Sequence, residues 1–559
     1  MDFTATYDHA AAECVSFSPG STFIAYIDGE RQSAVQVRVS GTLQVVRSWE
    51  LGTPLQALSW SPDGLFLLAC AYTVPGRDER NGRSYILPLD PDASVTDGSD
   101  DGQGWVARID AGIGGLQQAE WVPVWRVPSI VQFASYETGG VMYSLADQAF
   151  TALPGTLLSK AYAHPLRSDA VGFLQRDAES DYFALYAPES ADAPSMQQPV
   201  SWKLERVRRP TLIQSIKLHV SEPSGAAWSP DGHVLAVWDS ALEYRVALYA
   251  LAGTHLATFA IDAESSVPTT QIAIAPADAK AALAESGSGP QRARRVPMRT
   301  SRFSKSASLR ASTSQRKSGA SIVARVAGGG LGVRHVAWHP SSAFLAIGGY
   351  DERVRILSSE DWSEVYTLDV RRIALAAHRP DVAVWREPRR WFEATQGQGI
   401  VPFERDVLPM EAPAARQDQS NPTKCGVCWM EWNWDGTVLA VRNEALPMHV
   451  LLYVFDGVSE RRTDARLRLH AVLKLSSPVH ALSWKPGQYG TLAIVTGKSA
   501  VYLYSLQRSG AQSAEAVAIP NEHFSAMRLA WSPDGQALLL LDSDTYCCAM
   551  AAPENTGDS

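Results

Sequence analysis

Apolar residues along this chain gather in runs of four to six, too short for helices and separated by small clusters of turn-forming residues. Gly225-Ala226-Ala227-Trp228 is followed by Ser229-Pro230-Asp231-Gly232 and then by Val234-Leu235-Ala236-Val237-Trp238. The pattern predicts strand, turn, strand. In the turn, proline pre-sets its φ, aspartate bonds neighbouring backbone, and glycine takes a left-handed conformation cheaply. A third strand is predicted at Arg245–Tyr249, Arg353–Leu357, Val450–Val454 and Ala500–Tyr504, and a fourth at Thr254–Phe259 and Trp362–Leu368.

The phrase Trp-Ser-Pro-Asp-Gly recurs intact at Trp60–Gly64, Trp228–Gly232 and Trp531–Gly535. Looser copies begin at Phe17, Trp338, Trp432 and Trp484, and degraded ones at Trp121 and Phe173. Four short antiparallel strands per unit of about 40–45 residues is the arithmetic of a WD-type β-propeller blade. The fold class predicted is therefore all-β, a WD-repeat β-propeller of about nine units. One large propeller and a propeller with a partial second both accommodate that number. A β-sandwich with a tryptophan core fits nine copies of one turn poorly.

The organisation predicted is five repeats over 1–265, a sixth over 333–370 and three more over 425–550, followed by a tail, 551–559. Three segments interrupt it. Residues 88–104 form an acidic, glycine-rich loop without the ligand spacing of a calcium-binding loop. Residues 266–332 read as a disordered, basic Ser/Arg-rich insertion. From Ser286 to Ser321 there is no acidic residue. Ser304, Ser312 and Ser318 stand close to basic residues, as candidate phosphorylation sites. The segment is either a basic tether for an acidic partner surface or a plain spacer. Residues 371–424 are an irregular insertion whose Trp385, Trp391 and Phe392 suggest a strand or short helix packed on the propeller, with partner binding as an alternative.

Composition narrows the function. A net charge of −9 argues against direct nucleic-acid binding. No apolar stretch is long enough to span a membrane, and the first residues lack a signal-peptide pattern, so a cytosolic or nuclear protein is expected. Cys425 and Cys428 form one CxxC without a second pair, and Cys547-Cys548 lies in the last strand. All four read as structural. The histidines make no metal motif, Gly112-Ile113-Gly114-Gly115 lacks the phosphate-loop context, and no nucleophile elbow occurs. Asp63, Asp231, Asp435 and Asp534 have local work in the turns. No catalytic site, metal or cofactor is expected, and the chain reads as a non-enzyme.

Three stretches carry a more specific resemblance. They are Trp228–Tyr249, with Trp238, Asp239, Glu243 and Tyr244; Val336–Leu357, with Tyr350, Asp351 and Arg355; and Leu439–Asp456, with Arg442 and Asn443. Together they resemble the WRAP-type WD-repeat proteins of centrosomes and fungal spindle pole bodies. The likeness covers most of 1–265, 333–370 and 425–550, and the long basic insertion departs from it. The resemblance implies a non-catalytic scaffold at the spindle pole body or centrosome, in the cytoplasm and cytoskeleton. Its partners would be a coiled-coil microtubule-anchoring protein and a minus-end-directed kinesin, and its role anchoring microtubule minus ends for the mitotic spindle. The residues just named are the partner-binding candidates, set against a plain role in blade packing. The competing class is a WD-propeller translation initiation factor, which would be expected to carry a C-terminal helical or basic tail. A ubiquitin-ligase substrate receptor would need an added helical module.

Overall fold

A computed structural model describes residues 1–550 except 74–81, 91–105, 112–114, 124–128, 134–139, 146–147, 159, 168–169, 179, 189–209, 262–267, 273–331, 371–380, 408–425 and 457–465. The described residues form nine antiparallel sheets, each a meander of four strands from inner to outer, some with strands added. In chain order these blades cover 16–50, 57–110, 118–153, 156–217, 223–272, 333–369, 427–474, 481–518 and 528–550. Blade 9 takes its outer strand from the other end of the chain, where Asp2–Phe3 pairs with Ala549 and Met550. The sequence pattern suggests a first repeat that begins at Met1. The structure uses those residues to finish the last blade.

Nine apolar clusters sit one at each junction between consecutive blades. The last of them joins blade 9 to blade 1 through Leu539, Leu541, Tyr546 and Cys548 against Val15, Ile24 and Tyr26. The described residues therefore form a single closed nine-bladed propeller. The second strands are the most buried, Phe344–Gly349 along its whole length, because both faces meet a neighbouring blade.

The recurring tryptophan has a structural explanation. In six blades its indole Nε1 donates to a backbone carbonyl of the preceding blade, at the residue just before that blade's own head aromatic. Trp60 reaches Ser16 at 3.2 Å, Trp121 Ser59 at 3.1 Å, Trp338 Ala227 at 3.2 Å and Trp432 Ala337 at 3.4 Å. Trp484 reaches Glu431 at 3.1 Å and Trp531 reaches Ser483 at 3.2 Å. Each of these six rings fills a junction while its polar edge is paired, which is what a buried indole needs; Trp228 departs from the rule, its Nε1 being buried without a hydrogen-bond partner. Trp121, Trp432 and Trp484 are buried, whereas Trp60, Trp228, Trp338 and Trp531 are half-buried.

The turn geometry repeats as well. In blades 2, 5 and 9 the serine hydroxyl donates to the turn aspartate, and its oxygen accepts the N–H five residues after the serine. Neighbouring turns also touch. Asp231 N donates to Ser342 Oγ at 2.9 Å and Asp534 N to Ser21 Oγ at 3.0 Å.

Several boundaries differ from the sequence reading. Phe173 does not head the fourth repeat: it lies in the second strand, Val171–Arg176. The turn of that blade is His164-Pro165-Leu166-Arg167, and Ala163 occupies the head position. With its tryptophan lost, the unit offered no aromatic marker at the right place. Residues Pro268–Ile272, assigned to the disordered insertion, pair with 257–261 as a fifth strand of blade 5, where an unfilled sheet edge accepts them. The segment 371–424 is partly built into the ring. Ala383–Arg386 runs parallel to the outer strand of blade 7, and Glu404–Val407 pairs with Ala383–Arg386. Ile400–Pro402 joins the outer strand of blade 8. Between them a short helix, Trp391–Ala394, buries Trp391, and Phe392 packs against the cluster joining blades 7 and 8.

This strap is tied down by Glu387. Its buried carboxylate accepts from Trp391 Nε1 at 2.8 Å, Tyr502 Oη at 3.0 Å and Ser476 N at 2.6 Å. Cys428 is half-buried in Val427–Trp432, while Cys547 and Cys548 are buried. Burial pushes the Cys547 thiol up to about 12. Cys425, the bulk of the acidic loop, the segment 286–326 and the tail lie outside the described residues.

Candidate interaction surface

In a four-stranded meander, the loops between second and third strands all emerge on one side of the ring, opposite the first-to-second turns. The candidate residues share the former side on three consecutive blades. Trp238 and Asp239 end the second strand of blade 5, and Glu243 and Tyr244 lead into its third. Tyr350 and Asp351 form the corresponding loop of blade 6, with Arg355 in the strand that follows. Arg442 and Asn443 end the second strand of blade 7. Residues separated by up to about two hundred positions thus belong to one continuous belt.

The centre of the belt is Arg355, whose side chain is only 4% exposed. Its Nη1 donates to Tyr244 Oη across the junction of blades 5 and 6 at 2.8 Å, and its Nη2 to Asp351 Oδ2 at 2.5 Å. The guanidinium also lies 4.7 Å from the Tyr244 ring centre, and Glu364 is 3.8 Å away. Burial opposes this charge, but Tyr244 and Asp351 outweigh it and hold Arg355 above its ordinary pKa. Burial pushes the Tyr244 hydroxyl up, so it stays neutral.

On the blade 5 side, Asp239 is buried and accepts Glu222 N at 2.8 Å, with Arg245 at 3.5 Å. Burial raises its pKa despite those partners. Arg245 also pairs with exposed Glu243 at 2.9 Å. Toward blade 7, Arg334 donates to Tyr350 Oη at 2.9 Å and to Glu444 at 2.8 Å. Asn443 Nδ2 donates to Glu352 at 3.0 Å, and Arg442 Nη1 donates to His480 O, next to blade 8, at 3.2 Å. Two glycines make room for the belt. A Cβ on Gly225 would stand 2.5 Å from the Trp238 ring, and one on Gly349 would stand 2.5 Å from Tyr244.

The structure therefore divides the candidates. Asp239, Tyr244, Arg355 and Asn443 are buried and fix the loops from beneath. Glu243 is exposed, and Trp238, Tyr350, Asp351 and Arg442 are half-buried, so these five present edges to solvent. Sequence reasoning missed Glu222, Arg245, Arg334, Glu352 and Glu444. A pairing such as Arg334–Glu444 has no local signal, because it depends on the order of blades in the ring. Ser304, Ser312 and Ser318 lie outside the described residues. Among the described residues, no three His, Cys, Asp or Glu side chains are grouped to hold a metal ion, and no helix is long and apolar enough to cross a membrane. Alternating charges with tyrosine and tryptophan edges on a rigid face suit recognition of another protein.

The fold and this surface define a WD-repeat β-propeller of the protein-interaction class. A family profile described as WD domain, G-beta repeat matches residues 323–358. The chain is 24% identical over 579 aligned residues to the WD repeat-containing protein WRAP73 of Mus musculus, covering 100% of this chain and 97% of that one. That full-length match supports a WRAP-type WD-repeat protein. Among solved structures, Sqt1 from Chaetomium thermophilum aligns with a TM-score of 0.42 at 11% identity, over 90% of this chain and 97% of that one. The Cps50 (Swd1) propeller domain from Myceliophteria thermophila aligns at 0.35 and 10% identity, over 99% of each chain.

Proposed function

We propose that the protein is a non-catalytic scaffold of the spindle pole body or centrosome. It holds a coiled-coil microtubule-anchoring protein, and through it a minus-end-directed kinesin, so that microtubule minus ends stay at the pole. The observation that carries this reading is the end-to-end likeness to WRAP73, spanning all nine blades. The belt on blades 5 to 7 supports it, because the residues that carry the family resemblance converge there on one rigid face. On this reading Glu243, Trp238, Tyr350, Asp351 and Arg442 contact the coiled coil, and Arg355 and Tyr244 position them.

The test is to follow a fluorescently tagged protein through mitosis and to recover its partners from mitotic cells. Foci at the spindle poles with a co-purifying coiled-coil protein are expected, and a charge reversal of Glu243 and Asp351 should weaken that recovery. Co-sedimentation with ribosomal subunits without pole foci would refute it and favour the translation-factor class.

A further inference from the structure

The nine blades act as an internal alignment, and one position in it breaks the pattern at the surface. The second residue of the first turn is proline in eight blades: Pro19, Pro62, Pro123, Pro165, Pro230, Pro340, Pro486 and Pro533. In blade 7 it is Trp434, 67% exposed. The alignment is structural as well as textual. Gly436 N donates to Asn433 O at 3.0 Å, as Gly64 N does to Ser61 O and Gly232 N to Ser229 O at 2.9 and 2.8 Å. Gly436 takes the same positive φ as Gly64 and Gly232.

A turn that gives up its proline loses a preset φ, but this turn keeps the side-chain bonds of the proline-bearing turns and adds one to the next blade. Asn433 is buried, accepts Val438 N at 2.8 Å, and donates to Tyr489 O on blade 8 at 2.6 Å. His339 of blade 6 lies 3.0 Å from Gly436 O through its Nε2. Asp435 Oδ1 accepts Thr437 N and Oγ1 at 3.2 and 2.7 Å. The loop is thus fixed from both neighbouring blades while it holds a large indole outward, where it adds little to the core. An exposed tryptophan on a fixed loop, where the backbone ordering cost is already met, is the composition of a binding hot spot.

We propose that Trp434 and Asp435 form an anchor on the first-turn face of blade 7 that docks an arginine-bearing basic segment of a partner protein. An indole face attracts a planar guanidinium, and an adjacent carboxylate supplies the counter-charge. The wider field agrees: Asp63, Asp231 and Asp534 occupy the equivalent turns on the same side, and the chain carries a net charge of −9. Arg508, on the same side of blade 8, already lies over Tyr489 at 5.6 Å. This face is opposite the belt of blades 5 to 7, so the inference stands without the spindle-pole reading.

The full chain, labelled with 5-fluorotryptophan, gives fluorine resonances of which Trp434→Pro identifies one by its loss. Trp434→Pro installs the residue of the other eight blades, so its melting temperature should match the parent. The probe is acetyl-Gly-Arg-Gly-Arg-Gly-amide, compared with the same peptide carrying neutral citrulline for arginine. The arginine peptide should shift the Trp434 resonance saturably, less so as salt rises, and the citrulline peptide should not. Anisotropy of the fluorescein-labelled peptide should show binding weakened about tenfold or more by Trp434→Pro, Trp434→Leu and Asp435→Asn. Equal binding of the citrulline peptide, or undiminished binding to Trp434→Leu, would mark a merely apolar anchor and overturn the proposal. So would the absence of a saturable shift at Trp434. Should Trp434→Pro fail to fold, Trp434→Leu and Asp435→Asn decide.

Discussion

Replacing Arg355 tests whether the belt is a set of independent contacts or one buried unit. The methionine variant keeps most of the side-chain volume but removes the donors to Tyr244 at 2.8 Å and Asp351 at 2.5 Å. It leaves the Asp351 and Glu364 carboxylates, 16% and 21% exposed, without their cation. Truncating one partner of such a pair costs about 3–5 kcal/mol when it is fully buried, and the partial exposure of the carboxylates brings the expectation below that range, to about 2–3 kcal/mol. Tyr244→Phe keeps the ring beneath the guanidinium and removes only the hydroxyl acceptor, a loss of about 1–2 kcal/mol. In the Arg355→Met background the same change should cost about 0.5 kcal/mol or less, because the hydroxyl no longer has its donor. Equilibrium urea unfolding, with pulse proteolysis where unfolding is irreversible, measures the four corners of this cycle. If Tyr244→Phe costs the same in both backgrounds, the two residues are uncoupled and the positioning role assigned to Arg355 is wrong.

Three further outcomes follow from other parts of the ring. His449 is buried without a hydrogen-bond partner, and burial, with Lys474 adding, lowers its pKa from 6.5 to about 4. Its contribution is therefore complete above the unfolded pKa and is lost as pH falls from 6.5 toward 4, by about 3 kcal/mol in total. Urea midpoints of the parent should fall over that window more steeply than those of His449→Met. Glu387→Ala removes the acceptor shared by Trp391, Ser476 and Tyr502, so hydrogen exchange at 383–386 should accelerate by at least about tenfold while the blade 2 strands are unchanged. Replacing 286–326 by a short Gly/Ser linker should move the melting temperature by no more than about 2 °C, because the ring closes without it, and a larger loss would assign that segment a structural part.

Much of the fold was legible because a closed ring of similar blades imposes one local pattern nine times. The turn serine, proline, aspartate and glycine, and the alternation on either side, are decided within about fifteen residues, and strand placement follows from them. The tryptophan was legible as a marker but not as a staple, because its acceptor lies 44 residues away for Trp60 and 111 for Trp338. Ring closure was not legible at all. A two-residue strand, Asp2–Phe3, has no periodicity to detect, and its partners Ala549 and Met550 are known only from the assembled sheet. The fourth blade misled because its head is Ala163, so the aromatic read as the head, Phe173, stood one strand too late.

The candidate surface shows the same division in a different form. Trp238, Asp239, Tyr244, Tyr350, Asp351 and Arg355 were singled out because they lie in the stretches that carry the family resemblance. Their partners Arg334, Glu352 and Glu444 were missed because each answers to a residue on another blade. Resemblance to a family marks residues without separating those that touch a partner from those that hold the loop. Burial sorts them by exposure: Tyr244 and Arg355 face each other inside a junction, while Glu243 faces solvent. Trp434 is the converse case. The loose copy that begins at Trp432 has Trp434 where every other blade has proline, and only the fold shows that this departure lies at the surface. In a repeat protein the informative residue is the one whose copies agree with one another and not with it, provided that the fold leaves it exposed.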